Sequence, residues 1–381
     1  MLGEKRAQTY LLRFENNAEI RAPGGLPGAW ALLSVRDGKI RMVRQGSTRD
    51  FKPFILPIVP PTVAERTIFQ SLPVTYWQST GFAPDFPRNA QLGAAMWKAT
   101  FPGTRIDGVL DVDAVAMVRM LAVLGPVRTR VGVTITADNG VKELLSRVYQ
   151  RFENPPDQDD FFADVAKKVF DKVSAADAPP LTLLSALTRD VNDGRIHVYS
   201  FHPSVQRQLA GTTIAGDFSY EATRHPNLTM TVNDLTQAKM SYYLSYSVET
   251  RATRCSGGQQ TYQSTARFSA SKEAGRRLPL YVTGPDKKVP TGTQLVVARV
   301  YGPVGSVFGQ FFVAGKSVWV RVDHDRGRPV ADLTSILEPG QSRAITWTLT
   351  TGKGQTADGV QQVTPGLNDP QPFRTRIISA C

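Results

Sequence analysis

The sequence predicts an α/β sandwich around a mixed sheet, followed by a C-terminal all-β sandwich. Up to about residue 242, short strand-like runs alternate with helical stretches of roughly 10–17 residues, the pattern of an α/β fold. Beyond that point helical periodicity vanishes, and β-type runs recur every 10–15 residues or so between Gly/Pro turns, the pattern of a sandwich. A length of 381 residues, 41% hydrophobic and 20% charged, suffices for two domains with real cores. The expected domains are 1–245 and 246–381.

Residues 9–15 ("TYLLRFE") read as the first strand. "WALLSVRDGKIRMVRQG" reads as a hairpin turning at Asp37-Gly38. Pro-rich "FKPFILPIVPP" is an extended connector. Thr62 and Glu65 form a capping-box pattern that opens a helix. Helices follow at 89–100, at 113–125 with a Gly-Pro stop, at 138–152, at 157–173 with three acids in its first turn, and at 180–191. Strands fall at 107–113, 195–201 and 228–234. After residue 242 the runs "YYLSYSVET", "QQTYQSTARFSAS", "LPLYVTG", "TQLVVARVYG", "VFGQFFVAG", "KSVWVRVDHD" and "SRAITWTLTTG" supply the second domain.

Charge and composition narrow the function. With 45 Lys+Arg against 33 Asp+Glu, the chain carries +12 and favours anionic partners. It has no long basic run, no aromatic-basic RNP-type motif and no zinc-finger spacing, so nucleic acid is not expected. No apolar run of 18 residues spans a membrane. The chain enters its first strand almost at once, so we expect that an N-terminal anchor or signal once preceded it, with membrane attachment through that missing segment. Cys255 and Cys381 are the two cysteines; a disulfide between them fits an oxidising compartment, and hence an extracytoplasmic, secreted or cell-surface location. None of the four histidines stands in HExxH or an i,i+4 pair, so no metal and no cofactor is expected.

No strong catalytic motif is present: no GxSxG, no Walker A, no GxGxxG after a strand. What stands out is a polar set at expected strand ends. Glu15, Asn17, Glu19 and Arg21 follow the first strand, Arg49 and Asp50 follow the hairpin, and Asp85 and Arg88 precede a helix. Loops at one edge of an α/β sheet form ligand sites. Arginine grips anions in a fork, Asn and Asp bond hydroxyls, and two carboxylates are the minimum kit for glycoside cleavage. The same residues also suit a network of caps and salt bridges.

"NNAEIRAPGGLPGAWALL", "APDFPRNAQLGAAMW", "IDGVLDVDAVAMVRMLAVLGPV" and "TVNDLTQAKMSYYL" resemble an actinobacterial family of unknown function, DUF4012, over most of residues 9–245. That family is similar in turn to the LytR–CpsA–Psr (LCP) phosphotransferases, which attach cell-wall glycopolymers to peptidoglycan from polyprenyl-pyrophosphate donors. The resemblance implies an LCP-like three-layer α/β/α sandwich and places Arg49 and Asp50 on the relatives' Arg-Asp. The relatives' Arg-Ser-Asp, with its phosphate arginine and metal aspartate, is replaced here by "GGLPG". Losing both weakens phosphotransfer, which is mostly positioning and charge neutralisation.

The expected function is therefore a glycan-active enzyme on actinobacterial cell-wall polysaccharide, an arabinan of arabinogalactan or lipoarabinomannan type. It would be a glycoside hydrolase or transglycosylase with Glu19 and Asp50 as the catalytic pair and Asp85 or Glu15 in reserve. Asn17, Arg21, Arg49 and Arg88 would bind substrate. The alternatives are an LCP-type phosphotransferase and a non-catalytic glycan-binding surface protein.

Overall fold

A computed structural model describes residues 6–175, 178–236, 238–276, 278–284, 290–368 and 371–381. The chain divides into two units. The first comprises Met1–Ala18, Pro23–Pro61 and Ser71–Asp217; the second comprises Glu19–Ala22, Thr62–Gln70 and Phe218–Cys381. The mixed α/β architecture with a C-terminal β unit is as the sequence predicts, but the boundary lies at 217/218 rather than 245. "NLTMTVND" (Asn227–Asp234) is a strand of the sandwich, not the last strand of the α/β unit. Two short excursions of the N-terminal sequence also belong to the second unit.

In the first unit, β1 (Gln8–Asn16), β2 (Leu26–Arg36), β3 (Lys39–Ser47), β4 (Gly108–Asp113) and β7 (Ile196–Ser200) form one sheet in the order β3-β2-β1-β4-β7. Only β1 and β4 run parallel. Their connection carries the helix Phe86–Thr100 across the sheet, as a parallel crossover requires. β5 (Val127–Arg128) and β6 (Thr134–Ile135) pair separately. The β2–β3 hairpin turns where expected: Asp37 and Gly38 both have positive φ, 49° and 73°, the I′ geometry that matches strand twist.

Strand alternation divides the sheet's side chains between two layers. Leu11, Trp30, Leu32 and Val109 face a core with Phe86, Met96 and Trp97 of the crossover helix. Tyr10, Leu12, Ala31, Leu33 and Val35 face the other way, with Phe170 of the helix Pro155–Ala175 packed against them. The result is three layers. The expected helices at 113–125, 157–173 and 180–191 are found at Ala114–Leu124, Pro155–Ala175 and Pro180–Asn192.

The second unit holds two sheets. One is ordered β13-β12-β16-β10-β9, from β9 (Leu244–Ser256), β10 (Gln259–Ala270), β12 (Val307–Val313), β13 (Lys316–Val318) and β16 (Ser342–Thr350). The other is ordered β14-β15-β11-β8-β17-β18, from β8 (Asn227–Asp234), β11 (Gln294–Tyr301), β14 (Val322–Asp325), β15 (Arg328–Leu337), β17 (Gly359–Val363) and β18 (Arg374–Ile377). Their inner faces share one core that includes Met230, Phe268, Val300, Leu333 and Trp347, and Ile20 contributes to it. The capping box at Thr62 opens Val63–Thr67 as expected. "LPLYVTG" is a correction: Leu280–Thr283 is a single helical turn after Pro279, not a strand. Cys255 and Cys381 are bonded.

Candidate functional site

The parallel pair β1/β4 ends in a buried polar array. Register aligns Arg13 with Asp111 and Glu15 with Asp113 across the pair, and Asp111 with His197 on β7. Residues two apart on a strand share a face, so this is the face of Leu11 and Val109. The layer that is apolar in mid-sheet turns ionic at the carboxyl end of β1 and β4, the end where ligands bind open α/β sheets.

Arg13 pairs with Asp111, and Asp113 with Arg195. Arg13, with no exposed surface, grips Asp111 with both arms of its fork: Nε donates to Oδ1 at 2.7 Å and Nη2 to Oδ2. Its Nη1 donates to Thr80 Oγ1 at 3.0 Å. Gly93 of the crossover helix leaves room for it, since a Cβ there would stand 3.1 Å from Nη1. Asp113 caps the helix Ala114–Leu124 through Ala116 N–H at 2.7 Å and accepts on its other oxygen from Arg195 and, at 2.9 Å, from Asn17 Nδ2. Asn17 also donates to Gly24 O at 2.9 Å, closing the loop in which Gly25 lies so near Asn16 that a Cβ would come within 2.7 Å of its backbone.

Glu15 is different. It is 3% exposed, and neither carboxyl oxygen has a hydrogen-bond partner among the described residues; the nearest cation, Arg13 Nη2, is 3.9 Å from Oε1. Burial drives its pKa well above the usual carboxylate range, the Asp111 charge adds to the rise, and Arg13 opposes it.

Asp50 occupies the same edge of the sheet, since the ends of β3 and β1 are linked by the register Ser47–Ala29–Phe14. It is exposed yet fixed. Ser47 N–H and Trp30 Nε1–H both donate to its Oδ2 at 3.0 Å, the first being half of a capping box with Ser47. Trp30 itself is 1% exposed and packs edge-on against Trp97. Phe51 stacks on Trp77 at 3.8 Å, and Arg13 lies 5.9 Å from the Trp77 ring. An aromatic layer therefore joins the exposed carboxylate to the buried array. Arg44 covers Trp30 and Phe101. Arg49 is exposed and reaches Asp159 at 2.7 Å on the helix Pro155–Ala175, so a second carboxylate stands beside the same turn.

The other expected residues are placed elsewhere. Glu19 and Arg21 belong to the second unit. There Lys239 Nζ holds Glu19 Oε1 at 2.6 Å, and Arg21 Nη1 donates to the carbonyls of Ile20 and Asp234 at 2.8 and 2.6 Å. Glu19 and Asp50 thus lie in different units. The physical reason is Ile20, whose burial in the sandwich core carries its neighbours with it. Asp85 is the N-cap of Phe86–Thr100 without a side-chain cap bond, and Arg88 Nη2 donates to Pro60 O at 3.3 Å. Arg13, Asp111, Asp113, Arg195 and Asp159 were not expected. The signal for the first three was present: charged residues at inward positions of strands that otherwise read as core.

The array does not fit a magnesium site. Both oxygens of Asp111 are taken by Arg13 and both of Asp113 by Ala116, Asn17 and Arg195. Magnesium requires hard oxygens open to it. Among the described residues no group of three or more His, Cys, Asp or Glu is arranged to hold a metal ion.

Fold and site define a class: a three-layer α/β unit with an ionic array at the carboxyl end of its parallel pair, joined to a β-sandwich. Residues 5–149, which carry β1 to β4 and Asp50, match the profile of the family described as protein of unknown function (DUF4012). No curated protein matches the sequence. Among solved structures, the Lin1025 protein of Listeria innocua is similar at 13% identity over 58% of this chain and 85% of that chain, with a TM-score of 0.30. Lmo1026 of Listeria monocytogenes (residues 52–321) is similar at 14% identity over 59% and 85%, with a TM-score of 0.28. Both likenesses are remote, and no functional reading rests on them.

Proposed function

We propose that the chain is a glycan-active enzyme, a hydrolase or transglycosylase of cell-wall polysaccharide of the arabinan type, working with carboxylates. The observation that carries this reading is Asp50. Two donors fix one carboxylate oxygen, which leaves Oδ1 for a ligand, and the group sits at a solvent-facing edge beside aromatic and arginine side chains. A held, reachable carboxylate suits attack on an anomeric carbon or activation of water. Asp159, brought to the same turn by Arg49, is the second carboxylate of the pair. Glu15 is buried and is not assigned a contact with the sugar.

Two further points support the reading. The sequence resemblance to DUF4012 and, through it, to glycopolymer-handling enzymes names the substrate class. The Cys255–Cys381 bond suits an extracytoplasmic location. A phosphotransferase is less well supported, because Arg13 and Arg195 are neutralised by Asp111 and Asp113. The test is incubation with a soluble arabinan in EDTA. Release of reducing ends by the wild type, lost at least 10²-fold in Asp50→Asn, is the expected result. Turnover only with magnesium and a pyrophosphate-linked donor, or full turnover by Asp50→Asn, overturns it.

A further inference from the structure

The second unit carries a feature with no structural task. Trp319 follows β13 and is 87% exposed. Its neighbours Val318 and Val320 both pack on the sandwich core, so alternation turns Trp319 to the outer face of the sheet. The register Phe311–Val318 and Phe312–Ser317 places outward Phe312 diagonally beside it, within reach of an aromatic side chain. From there the outer row runs Phe312, Thr346, Thr265, Glu249 across β12, β16, β10 and β9. The next row contains Thr348, Gln263 and Arg251, and the row on the other side contains Arg267 and Ser247. The inward partners of these residues, among them Tyr262, Ala266, Phe268, Ile345 and Trp347, fill the core.

We propose that this outer face binds a neutral, hydroxyl-rich polysaccharide, with Trp319 and Phe312 as the stacking platform. The occupant follows from the chemistry of the rows. An apolar protein surface or a lipid would need hydrocarbon around the tryptophan, yet the strands beside the platform present hydroxyls, an amide and guanidinium groups. A sugar has both surfaces: C–H faces that stack on aromatic rings and hydroxyls that pair with Thr, Gln and Arg. Tryptophan and tyrosine are favoured where one side of a contact is apolar and the other wet, and tryptophan is among the residues enriched where a few side chains carry most of the binding energy. Glu249 stands 3.7 Å from Arg251 and offsets its charge, which suits a neutral polymer over a polyanion. This surface lies in a different unit from Asp50, so it stands or falls independently of the catalytic reading.

The test is titration calorimetry of the full chain carrying Asp50→Asn, which prevents consumption of polymer, against soluble arabinan, galactan and mannan. Binding to at least one is expected. Trp319→Ala should weaken it tenfold or more, and Gln263→Ala several-fold, with unchanged thermal unfolding. Binding to none of the three polymers, equal binding by Trp319→Ala, or Trp319-dependent binding of single-stranded DNA or anionic phosphatidylglycerol vesicles in their place overturns the proposal.

Discussion

Gly46 is the position where one methyl group tests the geometry around Asp50. A Cβ built there would stand 2.3 Å from Asp50 Oδ2 and 2.3 and 2.5 Å from Trp30 Cζ2 and Cε2. Ordinary contact between heavy atoms is about 3.5–4 Å, so something must move by about 1 Å. Trp30 is fully buried, edge-on to Trp97 at 4.8 Å, and cannot yield cheaply. Asp50 is exposed and is displaced, losing the bonds from Trp30 Nε1 and Ser47 N, while the β3 backbone must shift to clear the Trp30 ring. Overpacking costs about 1–3 kcal/mol, and loss of a cap about 0.5–2 kcal/mol. A displacement of about 1 Å at a reacting group can cost about 10²-fold in rate. Gly46→Ala is therefore expected to lose about 1–3 kcal/mol in urea unfolding, and, on the proposed function, about 10²-fold in arabinan turnover. Turnover equal to wild type with stability within about 0.5 kcal/mol would refute the idea that Trp30 and Ser47 hold Asp50 in place.

The remaining predictions concern the buried groups and the disulfide. Arg13→Met strands Asp111 at 1% exposure and should cost about 3–5 kcal/mol, read as loss of amide-exchange protection in β1 and β4; pairing it with Asp111→Leu should recover most of the loss. Glu15, whose folded pKa is raised, contributes stability that is complete below its unfolded pKa and is lost as pH rises through the folded value. Glu15→Gln should therefore flatten the decline of thermal stability as pH rises above the ordinary carboxylate range, and an unchanged decline would show that Glu15 is not its source. Reducing Cys255–Cys381 opens a loop with a sequence separation of 126 and should cost up to about 5 kcal/mol in the chain-entropy account, measured as a drop in the unfolding midpoint of the β-sandwich.

Periodicity made most of the fold legible. The run "TYLLRF" gave the first strand, "WALLSVRDGKIRMVRQG" with its Asp37-Gly38 turn gave the hairpin, and the capping-box pattern at Thr62 gave a helix start. The boundary was not legible because "LTMTVND" has the same alternation in either kind of sheet; only its partners, β11 and β17, assign it. Asp50 and Asn17 stood out as polar residues at strand ends. Arg13 and Asp111 did not, because each lies inside a strand and only the register of β1 with β4, 98 residues apart, reveals the pair. Glu19 looked like part of the same loop as Glu15. One buried isoleucine assigns it to the other unit, and no local pattern announces a chain that crosses between cores.

The central claim is that Asp50 performs chemistry on a sugar and does more than cap a turn. Azide rescue of Asp50→Gly on soluble arabinan separates the two, because azide replaces a missing nucleophile or base but cannot restore a capping box. The account predicts a variant that is folded, at least about 10²-fold slowed and accelerated by azide, with azide incorporated at the anomeric carbon. Wild-type turnover in Asp50→Gly without azide would contradict it.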